Sequence, residues 1–279
     1  MTELVFLKLG GSLITDKDKP YTPRLDKLKE LSNQIAAVLS RTRNLRLVLG
    51  HGSGSFGHVA ASEYKTRDGL PPRPSPLVHR KRDKNEENYW KGFAEVWYRA
   101  SMLNRFVMDA LHKAGVRTIA VPPSAHVIAN NGRVTIWETT PIRMALANGI
   151  LPVIYGDVVF DEVRGGTILS TEDLFSYLAR HLHPNRILLA GIEAGVWEDF
   201  PDRTRLVNEI SPRVYEKMRT AVGGSVSADV TGGMAAKVQQ MLELVQSIPG
   251  VTAQIFSGEK ANALARALDG ENVGTLITK

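Results

Sequence analysis

Leu4-Val5-Phe6-Leu7-Lys8-Leu9-Gly10-Gly11-Ser12, at the start of the chain, sets the architecture. An apolar run this short, interrupted by one lysine and closed by two glycines, reads as a buried strand that feeds a tight loop. Beyond it, Leu25, Leu28, Leu31, Ile35, Val38 and Leu39 recur at three- and four-residue intervals, forming the apolar stripe of a helix that Pro23 helps to start. Leu45 to Leu49 is a second buried strand, and it runs straight into Gly50-His51-Gly52-Ser53-Gly54-Ser55-Phe56-Gly57-His58.

The alternation persists to the end of the chain. Helical patterns cover residues 86–114, 141–148, 171–182, 233–247 and 261–268, and strand candidates lie at 118–121, 151–155, 158–160, 186–189, 253–256 and 275–277. Helices interleaved with short Val, Ile and Leu runs predict an α/β fold with a mostly parallel central sheet covered on both faces.

Composition removes several function classes. The 279 residues contain no cysteine, which excludes a disulfide scaffold, a thiolate zinc site, an iron-sulfur cluster and a cysteine nucleophile. No stretch approaches the ~18 apolar residues of a membrane span, and the acidic Glu3 precedes the first apolar run, so neither a membrane anchor nor a signal peptide is expected. A cytoplasmic location is compatible with both points. Lys and Arg number 35 against 29 Asp and Glu, a net +6 that favours anionic partners. The basic stretch from Lys65 to Lys84, with prolines at 71, 72, 74 and 76 and His79-Arg80-Lys81-Arg82, reads as a solvated loop. It lacks the interleaved aromatics of a nucleic-acid surface.

The chemistry is written in loops that follow strands. Lys8 with Gly10, Gly11 and Ser12, and Lys17 a little further on, form a candidate phosphate cradle, because glycines let an anion approach main-chain amides. Gly52 to Gly57 also matches the dinucleotide fingerprint G-x-G-x-x-G, but the stretch ~20 residues on, where a ribose-binding acid belongs, is the Pro-rich basic one. Two glycine turns facing one crevice at the carboxyl ends of parallel strands account for both loops more simply. His58 then directs an imidazole at a bound anion, the plainer alternative being a solvated histidine. Asp229-Val230-Thr231-Gly232-Gly233-Met234 opens a periodic helix in which Lys237, one turn in, can bend back toward an anion at the helix start, the plainer alternative being a capped helix with a solvated lysine. Asp173, in Ser170-Thr171-Glu172-Asp173, is either a helix-dipole partner or the group that orients the lysines. Gly-Lys does not occur, so a Walker A loop is excluded, as are the His-Glu-x-x-His and Gly-x-Ser-x-Gly motifs.

Taken together, Lys8 to Lys17, His51 to His58, Tyr155-Gly156-Asp157-Val158, Ile168 to Asp173 and Asp229 to Met234 resemble the amino acid kinase family in order and spacing. Ser55-Phe56-Gly57-His58 points to its isopentenyl phosphate kinase branch. The resemblance implies a three-layer αβα sandwich and ATP-dependent phosphorylation of isopentenyl phosphate with Mg²⁺. It also implies a homodimer, with the acceptor in residues 1–185 and the nucleotide in residues 186–279. Lys8, Lys17 and Lys237 would contact the nucleotide phosphates and the transferring group, with Gly10, Gly11, Ser12, Gly232 and Gly233 lending amides and Asp173 holding the lysines. Gly54, Gly57, His58 and Gly156 would bind the acceptor phosphate. Two segments depart from the family pattern: Ala190-Gly191-Ile192-Glu193-Ala194-Gly195-Val196, and the long Pro-rich region after Tyr64.

The acceptor's hydrocarbon tail needs an apolar slot, and the aromatic and methionine-rich helix carrying Tyr89, Trp90, Phe93, Val96, Trp97, Met102, Phe106 and Met108 offers both core and pocket residues. Three other readings share parts of this pattern. They are a kinase for fosfomycin or an amino acid carboxylate, a nucleotide-binding regulator without turnover, and an NAD-linked oxidoreductase. No nucleic-acid or membrane partner is expected.

Overall fold

The computed structural model describes residues 2–70, 83–221 and 233–279. The strand read at the start of the chain is β1 (Glu3–Leu9), followed by the short helix α1 (Gly11–Ile14) and by α2 (Leu25–Arg41). Then come β2 (Leu45–His51), α3 (Gly54–Tyr64), the 30-residue α4 (Lys84–Lys113), β3 (Thr118–Ala120) and α5 (Pro123–His126). Next come β4 (Val127–Asn130), β5 (Arg133–Trp137), α6 (Thr140–Ala147), β6 (Leu151–Tyr155), β7 (Asp157–Asp161) and β8 (Gly165–Leu169). The chain continues through α7 (Thr171–Leu182), β9 (Arg186–Gly191), β10 (Val196–Trp197), β11 (Leu206–Val207), β12 (Glu209–Ile210) and α8 (Pro212–Ala221). It ends with α9 (Gly233–Ser247), β13 (Thr252–Ser257), α10 (Ala263–Leu268) and β14 (Thr275–Ile277).

Eight strands form one sheet in the order β12-β14-β13-β9-β1-β2-β6-β3, parallel except where β13 meets β14. β1 lies between β2 and β9, with Lys8 opposite Gly50 on one side and Leu189 on the other. Side chains alternate across a strand. Val5, Leu7 and Leu9 therefore enter a core shared with α2, α4 and α10, while Phe6 enters the core beneath α7 and α9. Two apolar layers on opposite faces of one sheet make the αβα sandwich. Phe6 meets Phe175 of α7 at a ring separation of 5.0 Å, so the face that receives Lys8 lies under α7.

A second sheet, β5-β4-β7-β8, stands beside the first and returns the chain from β8 into α7. Its hairpin of β4 and β5 lies outside the strands that the apolar pattern predicts. The cue was Asn130-Asn131-Gly132, whose last two residues take positive φ (49° and 79°) as a tight hairpin turn requires. The flanking strands are only four and five residues long, and Ile136 lies exposed on the outer one. The Pro-rich stretch 71–82, the Asp229 to Thr231 motif and Gly232 lie outside the described residues.

Candidate active site

Lys8 is the penultimate residue of β1 and projects to the α7 side of the sheet. Its ammonium pairs there with the carboxylate of Glu172, second residue of α7, and both side chains are buried. Desolvation is the largest influence on Glu172 and pushes its carboxyl upward. The charge and hydrogen bond of Lys8, and then the charge of Lys237, bring it to a net value below the usual carboxylate range. Glu172 therefore stays ionised. Such a pair costs the desolvation of two ions and adds little net stability, but it keeps a charged ammonium in one place.

The two glycine turns interlock. A Cβ on Gly11 would come within 2.4 Å of the Gly54 nitrogen, and one on Gly52 within 2.8 Å of the Gly11 nitrogen, so backbone packs on backbone where only glycine fits. Thr15 locks the junction: its hydroxyl donates to the Gly11 carbonyl at 2.8 Å and accepts the Ser55 amide at 3.1 Å. Gly10 spends its own amide on the Ala190 carbonyl (2.7 Å), which leaves Gly11 and Ser12, at the start of α1, with amides that helix geometry does not satisfy. The fingerprint-like spacing at 52–57 thus serves contact between turns. Gly57 corrects an expectation: its amide donates to the Ser53 carbonyl (3.2 Å), and its missing Cβ makes room for the Ser53 side chain. That amide is not free to hold a phosphate.

His58 follows on α3, on the rim. Desolvation first, then the charges of Arg67, Lys8 and Lys237, pull its imidazole below the ordinary 6.5. Three cations, from the turn after α3, from β1 and from α9, therefore act on one imidazole. Of the two readings of Lys237, the structure has the side chain turned back, its ammonium 3.9 Å from where a Cβ on Gly233 would sit. Gly156, between β6 and β7, donates its amide to the His51 carbonyl at 3.1 Å, so this expected acceptor contact is a strut joining two strand ends.

Two expected members stand apart. Lys17 is exposed on the loop after α1 and forms no ion pair among the described residues. Asp173 does not hold Lys8. Its Oδ2 accepts the Ser170 amide (2.8 Å) and hydroxyl (2.7 Å) in a capping box, and its Oδ1 accepts Gln240 Nε2 at 3.2 Å. Asp173 instead ties α7 to α9, the helix that carries Lys237. The carboxylate missed by the sequence reading is Glu172. The Ser-x-x-Asp spacing of a capping box assigns Asp173 to the helix start and leaves its neighbour for other work.

His51 was missed as well. It is fully buried at the end of β2, with Nδ1 3.1 Å from the Gly52 carbonyl, Nε2 3.2 Å from Asn104 Oδ1 of α4, and its ring stacked on Tyr155 at 5.3 Å. Its carbonyl also accepts the Thr171 hydroxyl at 2.6 Å. Burial brings the imidazole down to about 4, so it is neutral at physiological pH. Asp157, buried beneath Ser124, is pushed up to about 6 by burial despite the amide hydrogen bond from Val158. Among the described residues no group of three or more His, Asp or Glu side chains could hold a metal ion. On the far side, the departing loop after β9 is self-contained: Glu193 accepts Trp197 Nε1 at 2.9 Å and pairs with Arg203.

Residues 3–257 match the amino acid kinase family. The chain is 33% identical to the isopentenyl phosphate kinase of Methanocaldococcus jannaschii over 98% of both chains, and 34% identical to that of Haloferax volcanii, also over 98% of both. A solved isopentenyl phosphate kinase superposes with a TM-score of 0.81 at 29% identity, covering 99% of this chain and all of that one.

Proposed function

We propose that this chain, which belongs to the amino acid kinase family and within it to the isopentenyl phosphate kinases, transfers the γ-phosphoryl group of ATP to isopentenyl phosphate, releasing ADP and isopentenyl diphosphate. The observation that carries the reading is one crevice at the carboxyl ends of β1 and β2. It is floored by two interlocked glycine turns, and the charges of Lys8, Arg67 and Lys237 act on His58 at its rim. Open α/β sheets bind ligands at that edge.

A phosphate monoester has a second pKa of ~6, so its attacking oxygen is already anionic near neutral pH and no general base is needed. The attacking oxygen forms a bond to the γ-phosphorus as the bond to the bridging oxygen breaks, and ADP leaves with that electron pair. The difficulty is bringing two polyanions together. Catalysis is then positioning plus electrostatic stabilisation of a loose transition state. Lys8, fixed by Glu172, and Lys237, turned back over the start of α9, supply fixed positive charge. Burial and the neighbouring cations lower the proton affinity of His58, and an arriving dianion raises it again, so it serves as a donor to the acceptor phosphate.

Mg²⁺ bound with the nucleotide would supply charge neutralisation; among the described residues no group of three or more His, Asp or Glu side chains could hold it. The reading extends to a cytoplasmic homodimer. Exposed Trp97 and Tyr98 of α4 and Ile119 of the edge strand β3 support a second copy. Among the described residues, no helix is long and apolar enough to cross a membrane.

A coupled ADP-release assay with isopentenyl phosphate, dimethylallyl phosphate, fosfomycin and glutamate side by side tests the proposal. Turnover with the first two is expected; preference for fosfomycin or glutamate would overturn it.

A further inference from the structure

Arg67 carries a charge that nothing described in the molecule answers. Its guanidinium has no hydrogen-bond or ion-pair partner among the described residues, although its backbone is held from several directions. Lys65 leaves α3 in the left-handed conformation, and the Thr66 amide returns to the Ala61 carbonyl at 3.2 Å. The Thr66 carbonyl accepts the Tyr89 hydroxyl of α4 at 3.3 Å, and the Arg67 carbonyl accepts the Thr167 hydroxyl of β8 at 3.0 Å. Leu70 donates to the Arg164 carbonyl at 2.8 Å. Gly69, at φ 78°, is pressed so close to Arg164 that a Cβ there would meet the Arg164 Cβ at 2.4 Å. The turn is thus braced by α3, α4 and the β7–β8 hairpin while its cation stays in solvent.

The same turn closes the helix that presents His58, and the charge of Arg67 weighs more on that imidazole than those of Lys8 or Lys237 do. Lys8 is committed to Glu172, and Lys237 stands over the start of α9 on the nucleotide side. Among the described residues, Arg67 thus stands unanswered on the turn that closes the helix presenting His58, and its charge is the first of those acting on that imidazole.

We propose that Arg67 is a further binding residue for the phosphate group of the acceptor, sharing it with His58; this rests on the phosphoryl-transfer reading above. A guanidinium offers two parallel donors to two phosphate oxygens, which a lysine cannot reproduce. Because the backbone is fixed beforehand, little ordering cost falls due when the anion arrives. The pair would favour a dianionic phosphate over a carboxylate acceptor.

The test uses the full-length enzyme, with KM and kcat measured separately for isopentenyl phosphate and for ATP. Activity of the unaltered enzyme on isopentenyl phosphate checks the underlying reading; without it that reading fails, whatever Arg67 does. Given that activity, Arg67→Ala should raise the KM for isopentenyl phosphate about 10- to 100-fold and weaken its binding in calorimetry without nucleotide by the same factor. The KM for ATP and the melting temperature should not move. Arg67→Lys should recover only part of the loss. Lys29→Ala, which removes an exposed charge from α2, should leave both KM values unchanged. An acceptor KM within twofold of the unaltered enzyme, equal rises for both substrates, or an effect matched by Lys29→Ala would each overturn the proposal.

Discussion

The floor and the rim of the crevice are built on opposite principles. On the floor, Lys8, Glu172 and His51 are buried, and each has polar partners before any ligand arrives. On the rim, His58, Arg67 and Lys17 are exposed, and the fields acting on His58 are all of one sign. The floor is preorganised at a cost in desolvation, whereas the rim leaves its charge uncompensated until an anion compensates it. Changes to the floor should therefore damage folding and turnover together, and changes to the rim should damage binding and turnover alone.

The largest effect belongs to Lys8. Lys8→Met removes a fixed cation from the transition state and leaves the Glu172 carboxylate buried without its partner. Turnover should fall about 10²- to 10³-fold, on the scale of one lost electrostatic donor. Stability in urea should fall by about 3 kcal/mol, the usual cost of orphaning a buried charge. Adding Glu172→Gln should restore most of the stability and none of the turnover. A double variant as unstable as the single one would mean the floor is not organised by this pair.

His51 and Asp157 bear on the floor through pH, with opposite signs. His51 titrates near 6.5 when unfolded and at about 4 when folded, so between those values the unfolded chain binds more protons and stability falls as pH falls. Asp157 titrates near 3.8 when unfolded and at about 6 when folded, so over 3.8 to 6 the folded chain binds more protons and stability falls as pH rises. Each window carries about 3 kcal/mol, and the two nearly cancel between pH 4 and 6. Asp157→Asn should unmask the histidine, giving a urea midpoint that drops on acidification through that range; His51→Gln should give the reverse slope. Parallel slopes in the two variants would contradict the assignment.

On the rim, His58→Ala should lose about 2 to 3 kcal/mol in kcat/KM for the acceptor, on the scale of one positioned donor. The urea midpoint should move little, since the residue lies on the exposed rim. A fall in stability as large as that of Lys8→Met would erase the distinction between rim and floor.

These contrasts also mark how far the sequence could be read. The buried strand at Leu4 to Leu9, the glycines that follow it and the second turn at 52–54 announce a parallel sheet and a crevice. Apolar alternation and glycine punctuation are local signals, and each survives in the folded chain. The return of Lys237 over Gly233 was legible for the same reason, being a matter of one helical turn. The partner of Lys8 was not legible, because β1 meets α7 across 164 residues of sequence and adjacent carboxylates at 172 and 173 differ only in which way the helix turns them. His51 was hidden among glycines whose own signal is stronger. The role of Gly57 was misread because a glycine that relieves a clash with Ser53 looks, in sequence, like one that exposes an amide.

Lys17 sets the smallest effect and the sharpest question about the rim. The family resemblance implies a contact with the nucleotide phosphates, yet its side chain is exposed on a loop with Asp16 and Asp18 as sequence neighbours and forms no ion pair among the described residues. To reach a phosphate, the ammonium must shed water and the loop around it must order, and both costs offset the Coulomb gain. Lys17→Ala should therefore leave stability within about 0.5 kcal/mol, as for a surface residue, and lower kcat/KM for ATP by about tenfold. Contact with a phosphate in a partly desolvated site is screened less than a solvent-exposed charge, so the loss should persist when salt is raised from 0.05 to about 0.5 M. A loss that vanishes with salt would make Lys17 a steering charge, and no loss at either concentration would reduce the fixed cations of the nucleotide side to Lys8 and Lys237.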